Sequence, residues 1–259
     1  RVLQSGRSIL HSVLNIPKVA TLFPPRETFY VTILRNTSTQ WPSIYKYFNL
    51  GNALAGKIPH LSMKTYILYA MNTSINVRLS PLSRNPNFSD LGYKYEKLST
   101  DELIDSSIQE IDKTFNLVMI TELWEKSLIL LKHKLCLNTE EVIVFDANVA
   151  VSSEKDIPDD ITSLIMDYNY ADNKLYKYFY DKLINEAKSI KRQEILELRA
   201  NKISWENKCI AQRIPKRAYA SKKYLGYKLK DGIDQETQKT CESLVRSEIE
   251  YVDFFRSRL

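Results

Sequence analysis

Nowhere does the sequence sustain an apolar run of about 18 residues, the length a helix needs to cross a bilayer, so no stretch of it reads as a membrane span. It also lacks a signal peptide and an initiator Met, beginning at Arg1. Processing or a fragment boundary upstream is therefore expected, and the missing anchor does not assign the natural protein to the cytosol. Cysteine is scarce, with Cys136, Cys209 and Cys241 alone, and no two stand in CxxC spacing, so no metal is expected. An odd count leaves at least one thiol free. Cys136, in the apolar LILLKHKLCL, reads as a buried thiol, whereas Cys209 and Cys241 can pair if the compartment is oxidising. Excess charge is modest: 37 basic against 31 acidic residues give +6, which suits an anionic small molecule and is too slight to argue for nucleic acid. No internal repeat or low-complexity segment is present.

What is present is an ordinary globular composition, 44% hydrophobic and 26% charged over 259 residues, enough chain for a sizeable core. Its most informative stretch is FYVTILRNTSTQWPSIYKYF, Phe29 to Phe48. Phe29 to Leu34 is aromatic and β-branched, which predicts a strand covered on both faces, as in a parallel sheet. Arg35 stands where that strand ends, and in open α/β sheets ligands bind outside the carboxyl ends of strands. Ser43 follows Pro42, which predicts a first helical turn whose free N–H groups favour an anion. Arg35 and Ser43 together read either as a phosphate clamp or as a surface cation and a helix cap.

Residues 44 to 98 predict short helices and loops of the kind that cover a substrate cleft. From Ser99 the pattern sharpens. Ser99 and Glu102 form a capping-box signature, and Ile104, Ile108, Ile111 and Phe115 mark one helical face. NLVMI (Asn116 to Ile120) predicts a second strand, a helix carries Trp124, Leu128, Leu131 and Leu135, and VIVF (Val142 to Phe145) predicts a third strand. This βαβ order predicts an α/β fold with a mostly parallel sheet flanked by helices. Between Pro158 and Pro215 there is neither Gly nor Pro, and Leu175, Phe179, Leu183, Ala187 and Ile190 line one face of one long helix or two in succession. SKKYLGYKLK clusters lysines with tyrosines, either a nucleotide-holding surface or a solvated face. Sequons at Asn36, Asn72 and Asn87 matter only in a secretory protein, and the first falls inside the proposed ligand site.

FYVTILRN with Ser43, NFSDLGY (Asn87 to Tyr93), the run from Phe115 to Phe145, YNYADNKLYKYF (Tyr168 to Phe179) and SKKYLGYKLK stand in one order along nearly the whole chain. Together they resemble the galactose 3-O-sulfotransferase family, Golgi enzymes that move a sulfuryl group from 3'-phosphoadenosine 5'-phosphosulfate (PAPS) to the 3-hydroxyl of galactose on glycolipids and glycoproteins. The resemblance implies a P-loop-like sulfotransferase fold in a single domain over residues 1–259, N-terminally incomplete, with PAPS as donor, a galactose-terminated glycan as acceptor and no nucleic-acid partner. It implies Arg35 and Ser43 as 3'-phosphate ligands, Lys222 as a lysine closing over the nucleotide, and His11, matching the histidine of an H-x-R-F stretch, as general base. It also implies the Golgi lumen, with membrane attachment only through an upstream type II anchor.

The sequence departs from the family at several polar positions. L-R-D-P stands here as Leu34-Arg35-Asn36-Thr37, H-x-R-F as His11-Ser12-Val13-Leu14, and the acidic E-Y-F-D-E-S as Glu122-Leu123-Trp124-Glu125-Lys126-Ser127. The family's K-T-x-K-T-A-S loop for the 5'-phosphosulfate is expected before residue 1, so the 259 residues alone are expected to transfer sulfate poorly. The alternative reading is an inactive family member that serves as a glycan- or partner-binding module.

Overall fold

The computed structural model describes residues 16–53, 61–72, 81–94, 98–146, 149–150, 157–217 and 223–257. In chain order the elements are α1 (Ile16–Leu22), β1 (Val31–Leu34), α2 (Thr37–Tyr47), α3 (Leu50–Ala53), α4 (Met63–Met71), α5 (Pro86–Asp90), α6 (Asp101–Thr114), β2 (Leu117–Ile120), α7 (Trp124–Leu135), β3 (Val149–Ala150), α8 (Asp159–Tyr168), α9 (Tyr170–Glu186), α10 (Arg192–Cys209), β4 (Ile210–Arg217), β5 (Lys223–Leu229), α11 (Gln235–Val245) and α12 (Glu248–Arg256). Short 3-10 turns occur at Pro81–Ser83, Thr121–Leu123, Thr139–Val142 and Ala187–Ser189. They fall into two compact units, one drawn from Ile9–Trp124 and Ile157–Glu186, the other from Glu125–Asp156 and Ala187–Leu259.

The first unit is built on the parallel pair β1–β2, in register from Val31 opposite Leu117 to Leu34 opposite Ile120. Asn116 sets that register, because its side-chain oxygen accepts the Tyr30 N–H at 2.7 Å while its own N–H donates to the Tyr30 carbonyl at 2.9 Å. All four residues of β2 are buried, and α9, whose buried residues include Leu175, Phe179 and Leu183, packs against it. β1 is different. Leu34 is 1% exposed, but Val31 and Ile33 are 43% and 49% exposed, so the predicted cover on both faces does not hold for β1 among the described residues. Beside the pair, Trp41, Leu50, Leu61, Tyr66, Ile67, Ile165 and Tyr168 form a core where α2, α4 and α8 meet. Each such large side chain contributes about 1.5–3 kcal/mol by burial, and the Trp41 indole donates to the Ser83 carbonyl at 2.8 Å.

The second unit holds an antiparallel sheet in the order β3–β5–β4. A Cys209–Cys241 disulfide ties the end of α10 to α11. Tyr227 on β5 is buried, its hydroxyl donating to the Asp146 carbonyl at 3.0 Å, with the Arg213 guanidinium 5.0 Å from its ring. The Asp146 carboxylate accepts from Lys202 at 2.7 Å and from Arg213 at 3.3 Å, and these two cations, Lys202 first, hold it below the ordinary range.

Several sequence expectations change here. The structure is mostly helical, with a small parallel pair and a separate antiparallel sheet, to which the described part of SKKYLGYKLK contributes β5, with Lys228 and Lys230 exposed as a solvated face would have them. VIVF is not a strand. Asn138 and Glu141 form a capping box that winds Thr139–Val142 into a 3-10 turn, after which Ile143 and Phe145 are buried and Val144 exposed, a pattern with no ladder partner among the described residues. The cap of α6 is Thr100, whose hydroxyl accepts the Leu103 N–H at 3.4 Å, one residue later than the Ser99 signature. The stretch after Pro158 makes three helices, since Asn169 caps α8 with non-helical φ/ψ and Ala187–Ser189 tightens before α10. Cys136 is exposed, at φ 53°, just past the end of α7, where the chain leaves the apolar helix.

Candidate functional site

The carboxyl ends of β1 and β2 carry Arg35, Asn36, Thr121 and Glu122, and what happens to the chain there follows from Asn36. Asn36 has extended backbone (φ −55°, ψ 125°), and its side-chain oxygen accepts the Ser38 N–H at 2.9 Å and the Ser38 hydroxyl at 2.8 Å. That cap starts α2 at Thr37. The Arg35 Nε donates to the Thr39 hydroxyl at 3.2 Å, laying the half-buried guanidinium along the first turn of α2. Among the described residues no carboxylate pairs with it. A cation beside the positive end of a helix dipole is an arrangement suited to an anion.

Glu122 crosses from the end of β2 to the same corner. One carboxylate oxygen accepts the Asn36 N–H at 2.9 Å, and the other accepts the Thr121 hydroxyl at 3.0 Å and the Tyr176 phenol at 3.2 Å. Burial, with the Glu122 charge second, pushes the Tyr176 phenol above the usual tyrosine range.

Behind this corner lies a buried polar network. Asn85, Asn87, Asn169 and Asp172 are all buried. One Asp172 oxygen accepts the Asn87 N–H at 2.7 Å, and the other accepts the Phe88 N–H at 2.9 Å. The Asp172 N–H returns to the Asn85 side chain at 3.2 Å, and the Asn85 N–H to the Asn169 side chain at 2.8 Å. Those bonds hold Asn85 in the left-handed region, φ 48°, where Asn is better tolerated than most residues. Burial pushes the Asp172 carboxyl up to about 7, the two backbone N–H groups pulling the other way. The Asn87 side chain then donates to the Arg35 carbonyl at 3.4 Å. A glycan on Asn87 is incompatible with that burial; of the three sequon asparagines only Asn72, at the end of α4, is exposed.

Of the predicted site residues, His11 and Lys222 lie outside the described residues. Arg35 is at the strand end as expected. Ser43 is not in the first helical turn: Pro42 is the sixth residue of α2, inside the helix, because Asn36 captures the start. In the first turn that this places at Thr37 to Thr39, the Ser38 N–H goes to the Asn36 side chain and the Thr39 N–H to the Asn36 carbonyl at 3.1 Å, and Pro42 leaves the Ser38 carbonyl without its usual helical donor. Thr39 and Ser43, four residues apart, nonetheless share one face of α2, Ser43 about 6 Å along the axis from Thr39, and Arg35 reaches that face through its bond to Thr39. Thr39, Glu122, Asn87 and Asp172 had no assigned role from sequence; Glu122, at the end of the NLVMI strand, was the one with a positional signal.

A strand-end arginine, a capped helix start and a carboxylate brace define an α/β protein with a site suited to an anionic ligand. The chain belongs to the galactose-3-O-sulfotransferase family, whose profile matches residues 8–259. It is 26% identical to galactose-3-O-sulfotransferase 2 of Sus scrofa over 93% of this chain and 65% of that protein. It is 26% identical to galactose-3-O-sulfotransferase 2 of Homo sapiens, over 93% and 65%, and 24% identical to galactosylceramide sulfotransferase of Bos taurus, over 93% and 62%. The chain thus spans a little under two thirds of the length of these relatives. No solved structure matches it. Among the described residues no helix is long and apolar enough to cross a membrane, and no cluster of His, Cys, Asp and Glu is disposed to hold a metal ion.

Proposed function

We propose that the protein is a carbohydrate sulfotransferase that moves a sulfuryl group from PAPS to the 3-hydroxyl of a galactose residue on a glycolipid or glycoprotein. The observation that carries this reading is the Arg35 guanidinium, half-buried beside the first turn of α2 at the carboxyl end of a parallel strand, in a chain matched by the family profile over residues 8–259. A guanidinium fork complements phosphate oxygens. Arg35 binds the nucleotide 3'-phosphate, with the Ser43 hydroxyl, one helical turn beyond Thr39, as a second ligand and Lys222 closing over the nucleotide. His11 takes the proton of the acceptor hydroxyl as its oxygen attacks sulfur in line. The S–O bond to the 5'-phosphate breaks, and adenosine 3',5'-bisphosphate leaves. The Cys209–Cys241 disulfide suits an oxidising compartment such as the Golgi lumen.

The test uses the complete natural chain, radiolabelled PAPS and a panel of glycolipid and glycoprotein galactosides. Label on the 3-hydroxyl of terminal galactose is the expected result. Nucleotide binding without transfer to any galactoside would replace the enzyme by a binding module.

A further inference from the structure

The peptide unit between Arg35 and Asn36 is the middle one of the three that join β1 to α2, and the ladder with β2 ends before it, at Leu34 opposite Ile120. Neither of its polar groups is paired by the sheet. Each is instead taken by a side chain from another element: the Asn36 N–H donates to Glu122 at 2.9 Å, and the Arg35 carbonyl accepts from Asn87 at 3.4 Å. Both of those side chains are themselves tethered. Glu122 receives the Thr121 hydroxyl and the Tyr176 phenol, and Asn87 is fixed through its backbone N–H by the fully buried Asp172. Because a peptide is planar, gripping its two ends fixes ψ of Arg35 and φ of Asn36 together. Those two angles set where the Arg35 side chain leaves the backbone and where the axis of α2 points.

We propose that Glu122 and Asn87 are positioning residues that clamp the Arg35–Asn36 peptide and so preset Arg35 and the first turn of α2 for a nucleotide 3'-phosphate. The proposal rests on reading Arg35 as the 3'-phosphate ligand. Glu122 is the stronger member, since its bond is shorter and charge-assisted. Holding the ligands in place before binding saves the cost of ordering them during it.

The experiment measures, by calorimetry on the complete chain, dissociation constants for adenosine 3',5'-bisphosphate and adenosine 5'-phosphate. Their ratio is the preference for the 3'-phosphate. Glu122→Ala is expected to lower that preference about tenfold, with affinity for the 5'-monophosphate kept. Glu122→Gln, whose amide oxygen still accepts the Asn36 N–H, is expected to restore most of it. Asn87→Ala is expected to lower it about threefold, given the longer bond; should that buried variant fail to fold, the exposed Glu122 pair decides the matter alone. An unchanged ratio in folded Glu122→Ala, or equal weakening of both nucleotides, overturns the clamp. Arg35→Ala separates the two readings: if it leaves the preference intact, the ligand assignment of Arg35 fails, whereas loss in Arg35→Ala with none in Glu122→Ala removes only the clamp.

Discussion

Arg35 and Asp172 show how differently two charged side chains can serve one corner of the fold. Among the described residues the Arg35 guanidinium bonds to Thr39 alone, through one of its five N–H donors. Replacing it by Ala in the complete chain is expected to weaken adenosine 3',5'-bisphosphate binding about 10- to 100-fold, the worth of one or two charge-assisted bonds, with little change in melting temperature. Calorimetry with a thermal melt checks both halves of that statement. Asp172 is withdrawn from water, and its carboxyl is raised from 3.8 to about 7. A raised acid favours the protonated folded state, so its contribution to stability is full below about pH 4 and is lost as pH rises toward 7. Asp172→Asn should therefore flatten the pH dependence of the melting temperature between 4 and 7. It should also cost about 1–3 kcal/mol, because an amide presents a donor to one of the two backbone N–H groups. Identical slopes in the two proteins would show that Asp172 does not titrate in that window.

At the scale of elements, α2 was legible in its existence and misplaced in its start. Pro42 invites a first-turn reading because proline is favoured there, yet Asn36 caps six residues earlier and the helix runs through the proline. NLVMI and the α6 face were legible because four buried residues in a row, and isoleucines at helical spacing, leave little choice. VIVF satisfied the same rule and found no partner strand, which no local pattern can reveal. The turn into α3 carries its own constraint. A Cβ on Gly51 would sit 2.6 Å from the Leu61 carbonyl oxygen and overlap the Tyr45 hydroxyl that bonds to it. Gly51→Ala is expected to destabilise by about 1–3 kcal/mol through overpacking, measured by denaturant unfolding. A stability equal to the parent's would mean that backbone and phenol give way freely.

For the whole molecule, the disulfide is a covalent constraint that ties the end of α10 to α11. It closes a loop across a sequence separation of 32, for which the chain-entropy account gives about 3–4 kcal/mol. Reduction should lower the melting temperature accordingly, and Cys209→Ser with Cys241→Ser should reproduce the loss without reductant. Native alkylation should modify Cys136 alone, the other two reacting only after reduction. Reaction at all three in the native state would contradict the pairing.

The sequence by itself determined the apolar strands, the amphipathic faces and Arg35 at a strand end, because each follows from the order of neighbouring residue types. It also carried the family, whose motifs survive in order. Only the tertiary structure decided how the site is braced. Asn87 meets Asp172 across 85 positions and Arg35 across 52, and Glu122 meets Asn36 across 86. A hydrogen bond between residues so far apart depends on where the fold returns the chain, and neither residue's local sequence records its partner. The same holds for β1, whose composition promised two covered faces although Val31 and Ile33 are exposed. Burial belongs to the packing around a strand, and composition states only what a strand tolerates.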